Sequence, residues 1–428
     1  MRTVRVGLVG LGTVGSGVVE ILRNHRDDFR SRAGVDIELA KFADRNTARF
    51  ADLGLPAEQC VTDAQAVIDD PSLDIVIELI GGTGVAREVV LAALGAGKSV
   101  VTANKALLAS NGEEVMAAAE ANGVDILFEA SVGGGIPIIA PLKHSLTSNE
   151  IVTVMGIVNG TTNYMLTRMA ENDLDYATAL AEAQAKGFAE ADPTADVDGF
   201  DAAAKIAILS SIAFNSRVVM SQVPAEGIRS LAPEDIAYAK EMGYTIKLLA
   251  IARRTDSGID VRVHPTMIDS AHPLASVNGV YNAIFVVGDA VGETMFFGEG
   301  AGSLPAASAV VGDLIEEARR IQTGCAPLVG CTCTEHLSVR DISTLETEYY
   351  IRLAVADQPG VLASVATVFG QHGVSIGSVL QKRAEGGLAQ IVYVTHRARE
   401  ADVRAALAEI EALDVVNAVA SVVRVEEL

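Results

Sequence analysis

Val4-Arg5-Val6-Gly7-Leu8-Val9-Gly10-Leu11-Gly12-Thr13-Val14-Gly15, followed by Ser16-Gly17-Val18-Val19-Glu20-Ile21-Leu22, sets a short apolar run directly before the spacing G-x-G-x-x-G and a helical pattern directly after it. This reads as strand, glycine turn and helix. Gly10 permits the tight turn, Gly12 lets backbone amides approach a pyrophosphate, and Gly15 lets the helix pack closely on the strand. Thr13 and Val14 open that helix, whose amino terminus offers partial positive charge to phosphates. The pattern predicts a dinucleotide-binding unit.

The second strand of such a unit runs through Ile37 to Ala43 and ends in Asp44-Arg45. An acid there holds the ribose hydroxyls of NAD, whereas a base accommodates the 2′-phosphate of NADP. Asp44 argues for NAD and Arg45, with Lys41, for NADP, and a surface ion pair fits the same residues. Apolar strands over 73–79, 99–102 and 125–128 alternate with helices over 85–96 and 106–122. That alternation predicts an α/β architecture, a Rossmann-type doubly wound parallel sheet over residues 1–131. A helix over 306–321, entered through Gly298 to Gly302 and Pro305, is expected to return and complete this domain over about 302–328.

From residue 132 the pattern changes. A Gly133-Gly134-Gly135 run, a helix near 138–145 and a strand over 151–158 lead to Asn159-Gly160-Thr161-Thr162-Asn163; strands around 259–264 and 283–287 follow, separated by helical segments. This predicts an α+β catalytic and dimerisation domain over 132–301, with a mixed sheet whose edges can pair across a dimer. Residues 329–346 read as a linker. Over 347–428 the order is β-α-β-β-α-β with a Gly386-Gly387 turn, the ferredoxin-like arrangement. Its first strand-to-helix turn, Asp357-Gln358-Pro359-Gly360-Val361-Leu362, resembles the ligand-binding turn of ACT domains, and a plain dimerisation module has the same order.

Composition excludes several functions. With 33 basic against 55 acidic side chains among 428 residues, the formal charge of −22 repels nucleic acid and anionic lipid. Apolar runs are broken by Gly or charge before reaching a membrane-spanning length, and no export signal opens the chain, so a soluble cytoplasmic protein is expected. The four cysteines form no disulfide framework and no paired C-x-x-C, and the seven His lack H-x-x-x-H spacing, so a transition-metal site is not expected.

The chemistry points to the middle of the chain. Asp198, Asp201 and Lys205 fall at i, i+3 and i+7, on one helical face. A lysine with a carboxylate four residues before it stays protonated and fixed in direction, as a proton donor to a developing alkoxide must be. The same spacing fits a solvated salt bridge; the almost wholly apolar run Ile206 to Phe214 that follows favours a buried pair instead.

Together with the segments already quoted, Thr102-Ala103-Asn104-Lys105, Glu129-Ala130-Ser131-Val132-Gly133-Gly134-Gly135-Ile136-Pro137, Lys186-Gly187-Phe188-Ala189-Glu190-Ala191-Asp192-Pro193 and Gly300-Ala301-Gly302 occur in an order and spacing that resemble the monofunctional homoserine dehydrogenases with a C-terminal ACT domain. The resemblance implies reversible NAD(P)-dependent reduction of L-aspartate 4-semialdehyde to L-homoserine. It implies that Lys205 donates the proton, that Lys105 lies by nicotinamide and substrate, and that Glu190 binds the substrate ammonium. Asp201, Gly187, Asn159, Gly160 and Thr161 complete the substrate contacts, and Gly302 lets the nicotinamide carboxamide approach main chain. It further implies a monovalent cation, usually sodium, at Glu129, Val132, Gly134 and Ile136, where the unaided residues read first as a hinge. L-threonine is the expected ACT effector by pathway logic, and a homodimer or homotetramer the expected assembly. Another NAD(P)-dependent oxidoreductase of amino-acid semialdehydes, or a catalytically retired amino-acid sensor, is the competing reading.

Overall fold

A computed structural model of the chain describes residues 2–325, 330–383 and 388–426. The amino-terminal part runs β1 (Thr3–Val9), α1 (Thr13–Asp28), β2 (Asp36–Ala43), α2 (Ala48–Asp52), β3 (Cys60–Val61), α3 (Gln65–Ile68), β4 (Ile75–Glu78), α4 (Val85–Gly95), β5 (Ser99–Thr102), α5 (Lys105–Asn122) and β6 (Ile126–Leu127). The middle runs β7 (Ile151–Ile157), α6 (Gly160–Asn172), α7 (Tyr176–Ala185), α8 (Thr194–Val197), α9 (Phe200–Ala213), α10 (Pro233–Glu241), β8 (Tyr244–Thr255), β9 (Gly258–Asp269), β10 (Tyr281–Gly288), β11 (Gly292–Glu299) and α11 (Ser303–Thr323). The last part runs β12 (Glu346–Ala356), α12 (Val361–Gln371), β13 (Ile376–Arg383), β14 (Leu388–Thr395), β15 (Ala398–Arg399), α13 (Glu400–Glu411) and β16 (Val416–Glu426).

The chain forms two compact units whose segments interleave. The first holds Met1–Val154, Ala204–Gln222 and Asn282–Leu337; the second holds Met155–Ala203, Val223–Tyr281 and Ser338–Leu428. These cuts fall elsewhere than the sequence segments at 131 and 301, because β7 and α9 each begin in one unit and end in the other.

In the first unit six strands pair in the order β3-β2-β1-β4-β5-β6, every pair parallel. All four residues of β4 and of β5 are buried, as expected of strands covered on both faces. The expected return of the chain is made by α11, whose Ala307, Val310, Val311, Leu314 and Ala318 enter the same core as Val4, Val6, Leu8 and Val18. Gly17 allows this approach, since a Cβ there would stand 2.8 Å from the Ser303 carbonyl oxygen.

The second unit contains the strand order β8-β9-β16-β12-β14-β13. The last four strands are the ferredoxin-like set, with β12 antiparallel to both β14 and β16. The expected Gly386-Gly387 turn lies outside the described residues. Two features differ from the sequence reading. Strands β8 and β11 were hidden in stretches not read as strands, and between β9 and β10 stands only a 3₁₀ turn, Pro273–Ser276, rather than a helical segment. Tyr244–Thr255 carries Lys and Arg within an apolar run, which blurs a period of two. The expected linker is also pinned, with Leu337 N donating to Ser216 Oγ and Val339 bridging Ile259.

Strand β16 pairs with β9 in parallel, Arg424 opposite Thr266 and Glu426 opposite Ile268. Buried charges surround this seam. Asp235 of α10 is fully buried and accepts Arg352 Nε at 2.6 Å, Arg352 Nη2 at 3.1 Å, Tyr350 Oη at 3.0 Å and the Ala232 amide at 2.9 Å. Arg262 pairs with Glu426, and Arg424 with Glu400. Among the described residues no helix is long and apolar enough to cross a membrane.

Removing one partner of such a buried pair leaves an uncompensated charge. Asp235→Ala is expected to lower unfolding stability by about 3–5 kcal/mol in urea titration. Burial raises the Glu400 carboxyl, but the hydrogen bonds and charge of Arg424 outweigh it and hold the group down at about 2, against an ordinary 4.5. A depressed carboxylate contributes stability that is present above the unfolded value and lost as pH falls through the folded one. Acid melts should therefore lose part of the stability between about pH 4.5 and pH 2, and Glu400→Gln should flatten that part of the curve.

Candidate functional site

The glycine turn of the first unit leaves a backbone cradle. Gly10 has φ +100°, and a Cβ there would stand 2.7 Å from the Leu79 carbonyl; one on Gly15 would stand 2.1 Å from Gly10 O. A Cβ added at Gly12 would meet nothing within 4 Å, so the turn is open on that side. Thr13 begins α1 with Gly12 as its N-cap, and Val14 and buried Gly15 follow in its first turn. Asp44 leans over this turn, its Oδ2 accepting Leu11 N at 2.6 Å and its Oδ1 accepting Asn46 N at 2.7 Å, while Arg45 is exposed. Gly302 is the N-cap of α11 at φ +126°, and the next residue, Ser303, donates from Oγ to Thr13 O at 2.6 Å. The first unit thus brings Gly302 to the glycine loop. These residues fit a dinucleotide: a glycine turn open at Gly12, a helix start, an acid beside it and a second helix start close by.

Lys105 opens α5 directly after Asn104, whose Oδ1 accepts Leu107 N at 3.1 Å. A buried acid missed in the sequence reading organises this corner. Glu78, fully buried at the end of β4, accepts Ile80 N at 2.7 Å, Gly81 N at 2.9 Å and Thr102 Oγ1 at 2.7 Å, and Asn104 Nδ2 donates to Gly82 O at 2.7 Å. It appears in sequence only as the polar end of an apolar strand.

Glu129, Val132, Gly134 and Ile136 are buried in the first unit. The Glu129 carboxylate gathers the backbone that follows it. Its oxygens accept the amides of Ile138, Ile139 and Ala140 at 2.5, 2.8 and 2.7 Å, closing the start of the next helical turn. Its own amide donates to Asp313 Oδ2, and burial pushes the Asp313 carboxyl well up. Three N–H groups thus share this carboxylate. Gly134 packs so that a Cβ would stand 2.5 Å from the Gly300 carbonyl, and a Cβ on Gly300 would meet the Asn282 side chain at 2.0 Å. Asn282 is almost fully buried and its Oδ1 has no partner among the described residues. Among those residues no group of three His, Cys, Asp or Glu could hold a metal.

In the second unit Asn159 is the hub. As N-cap of α6 it accepts Thr162 N at 2.9 Å, and its Nδ2 donates to Asp201 Oδ2 at 2.9 Å and Asp196 Oδ1 at 2.6 Å. Gly160 and Thr161 begin α6, and Thr161 Oγ1 donates to Phe188 O at 2.7 Å, next to Gly187 at φ +76°. Glu190 has an exposed side chain, and its carbonyl accepts Gln184 Nε2 at 3.0 Å. Asn159, Thr161, Gly187 and Asp201 are thereby drawn into one set of contacts, with Asp196 as a member not singled out beforehand; its only sequence signal was its place in the acid-rich run.

Asp201 stands in the first turn of α9, and the same helix carries Lys205, 8% exposed. The apolar run after Lys205 is buried, as its composition implied. Asp198 departs from the expected helical face. It precedes the helix, capping α8, and its carboxylate pairs with Arg229.

Comparison with known proteins is consistent across the chain. Residues 10–129 match the family model described as homoserine dehydrogenase, NAD binding domain, residues 137–315 that described as homoserine dehydrogenase, and residues 349–415 that of the ACT domain. The homoserine dehydrogenase of Synechocystis is 48% identical over 432 residues, covering 99% of each chain. The crystal structure of a homoserine dehydrogenase from Thiobacillus denitrificans superposes with TM-score 0.95 at 44% identity, covering 100% of this chain and 99% of that one. A hyperthermophilic archaeal homoserine dehydrogenase in complex with NADPH matches 74% of this chain and 98% of its own, with TM-score 0.64 at 28% identity. The chain belongs to the homoserine dehydrogenase family, in the form that ends in an ACT domain.

Proposed function

We propose that this enzyme interconverts L-homoserine and L-aspartate 4-semialdehyde with NAD or NADP. The observation that carries the reading is α9, which presents Asp201 and Lys205 on one buried helix whose start is fixed by Asn159. When bound, the nicotinamide coenzyme supplies the two-electron chemistry. The chain's residues do the rest. Lys205 holds its ammonium to the substrate oxygen, donating a proton as the aldehyde becomes an alcohol and taking it back in the reverse direction. Asp201, four residues earlier, directs that ammonium, and Lys105 polarises the same carbonyl. Glu190 binds the substrate ammonium, with Gly187, Asn159, Gly160 and Thr161 closing around the amino acid.

We assign coenzyme binding to residues 1–131 with 302–328, substrate binding and dimerisation to 132–301, and regulation to 347–428 beyond the 329–346 segment. Gly10, Gly12, Thr13, Val14 and Gly15 hold the pyrophosphate, Asp44 the ribose hydroxyls with Arg45 able to meet a 2′-phosphate, and Gly302 the carboxamide. The NADPH complex of the archaeal relative supports acceptance of NADP. A monovalent cation at Glu129, Val132, Gly134 and Ile136 would rest on main-chain carbonyls, and the unpartnered Asn282 Oδ1 nearby supports a small ligand at that corner. Exposed Met295 and Phe297 on β11 support assembly as a homodimer or homotetramer.

Homoserine oxidation followed at 340 nm with each coenzyme tests the activity. Lys205→Ala should lower kcat by about 10²–10⁴-fold while coenzyme affinity by fluorescence titration stays near that of the parent. Persistent turnover would remove Lys205 from the proton step. Gly360, at φ +94° in the ACT turn, admits no side chain without strain. L-threonine should lower the initial rate of the full chain, and Gly360→Val should lose that response; an undiminished rate of the parent at saturating threonine would exclude this effector.

A further inference from the structure

Between the last ACT strand and the start of α9 lies a short segment, residues 224–229, which none of the proposed roles uses. Its Glu226 is gripped by Arg424 of β16 through two hydrogen bonds, Nη1 to Oε2 at 2.7 Å and Nη2 to Oε1 at 2.8 Å, with Arg404 Nη2 at 3.4 Å. Arg424 is itself buried and held on its other side by Glu400 at 2.8 and 2.7 Å. The backbone of the segment is fixed to β9, with Glu226 N donating to Val263 O and Val263 N to Pro224 O.

The far end of the segment holds the turn before α9. Ile228 N donates to Val197 O at 2.9 Å, and Gly227 lies so close that a Cβ would stand 2.0 Å from that same carbonyl and 2.5 Å from Asp198 Cα. Arg229 then clasps Asp198, with Nη2 to Oδ2 at 3.1 Å and Nε to Oδ1. Across Gly199, whose added Cβ would meet Val263 at 3.1 Å and Glu226 O at 3.5 Å, the chain enters α9 and reaches Asp201. Every step from Arg424 to Asp198 is a hydrogen bond, an ion pair or a contact too tight for a methyl group. A side chain free to rotate would have no such consequence.

We infer that Glu226 is a positioning residue for the Asp196–Asp201 loop, and that the ACT domain, through Arg424, supplies a fixed anchor for that loop even with no effector bound. The inference rests on the homoserine reading proposed above for the role of that loop. It places no new group on the substrate. Its prediction is that loosening the anchor degrades the use of homoserine and leaves the use of coenzyme intact.

Glu226 suits a test because its side chain is 43% exposed and its removal leaves Arg424 paired with Glu400. In the full-length enzyme, Glu226→Ala should raise the KM for homoserine by about tenfold or more, with a smaller fall in kcat and no change in coenzyme KM. Glu226→Gln, which can still accept from Arg424, should recover most of the loss. Arg229→Ala should reproduce the defect, and the double variant should be no worse than the poorer single, since both break one chain of contacts. Amide hydrogen exchange over 196–201 should quicken in Glu226→Ala, a readout independent of turnover. Parent-like homoserine KM and exchange in Glu226→Ala, or equal losses toward homoserine and coenzyme, would overturn the inference. A parent enzyme inert toward homoserine would instead overturn the proposed reaction, leaving the exchange comparison to decide the positioning claim.

Discussion

The turn at Gly199 is the constraint on which the cluster of Asn159, Asp196 and Asp201 depends. At φ +83°, with Val263 and the Glu226 carbonyl close to where a Cβ would point, it admits glycine and little else. It also separates two acids that are near in sequence. Asp198, before the turn, is spent on Arg229, while Asp201, after it, is held by Asn159. Because α9 starts at once beyond the turn, the first helical turn sets where every later residue stands, at about 1.5 Å of rise and 100° of rotation each.

The nucleotide half solves a similar problem in the same chemical terms. Its loops are held by buried or half-buried carboxylates that accept several N–H groups: Glu78 for residues 80–81, Asp44 for residues 11 and 46, Glu129 for residues 138–140. An ionised carboxylate makes stronger hydrogen bonds than a neutral acceptor, and amides at a helix start present partial positive charge to it. A chain with so many acids thus uses some of them as staples for irregular backbone. The high negative charge and the shape of the glycine loop are linked through this use, not only through repulsion of unwanted partners.

Much of this was legible in sequence because it is local. The glycine spacing, the alternation of strands and helices, the return of α11 and the β-α-β-β-α-β order all follow from periodicity and turn residues within a few positions. The stretch from Glu190 to Asp201 was legible as an acid-rich run, but the partner of each acid was not. Helical spacing placed Asp198 with Asp201 and Lys205, and the break at Gly199 turned it toward Arg229, a residue 31 positions away in sequence. Glu78 and Asp196 were missed for the same reason, since hydrogen-bond partners set their roles and those partners come from other elements. Glu129 was found by pattern, but nothing local shows that three amides of residues 138–140 converge on its carboxylate.

The pairing of β16 with β9 belongs to the same class of non-local facts and changes what the ACT domain is. A ladder of three residue pairs is a small adhesive surface, and burying charges beside it carries a desolvation penalty that ion pairing offsets only when geometry is close to ideal. Arg424 with Glu400 and Glu226, and Arg352 with Asp235, meet that condition by using several hydrogen bonds each, whereas Arg262 makes one to Glu426. A slip along the strands would also separate these partners. Charged pairs with fixed partners do not tolerate one, since a shift of one residue moves each side chain to the opposite face of the sheet. The seam therefore specifies register more than it adds strength. An ACT domain joined in this way is held by a strand and a guanidinium as well as by the segment that precedes it.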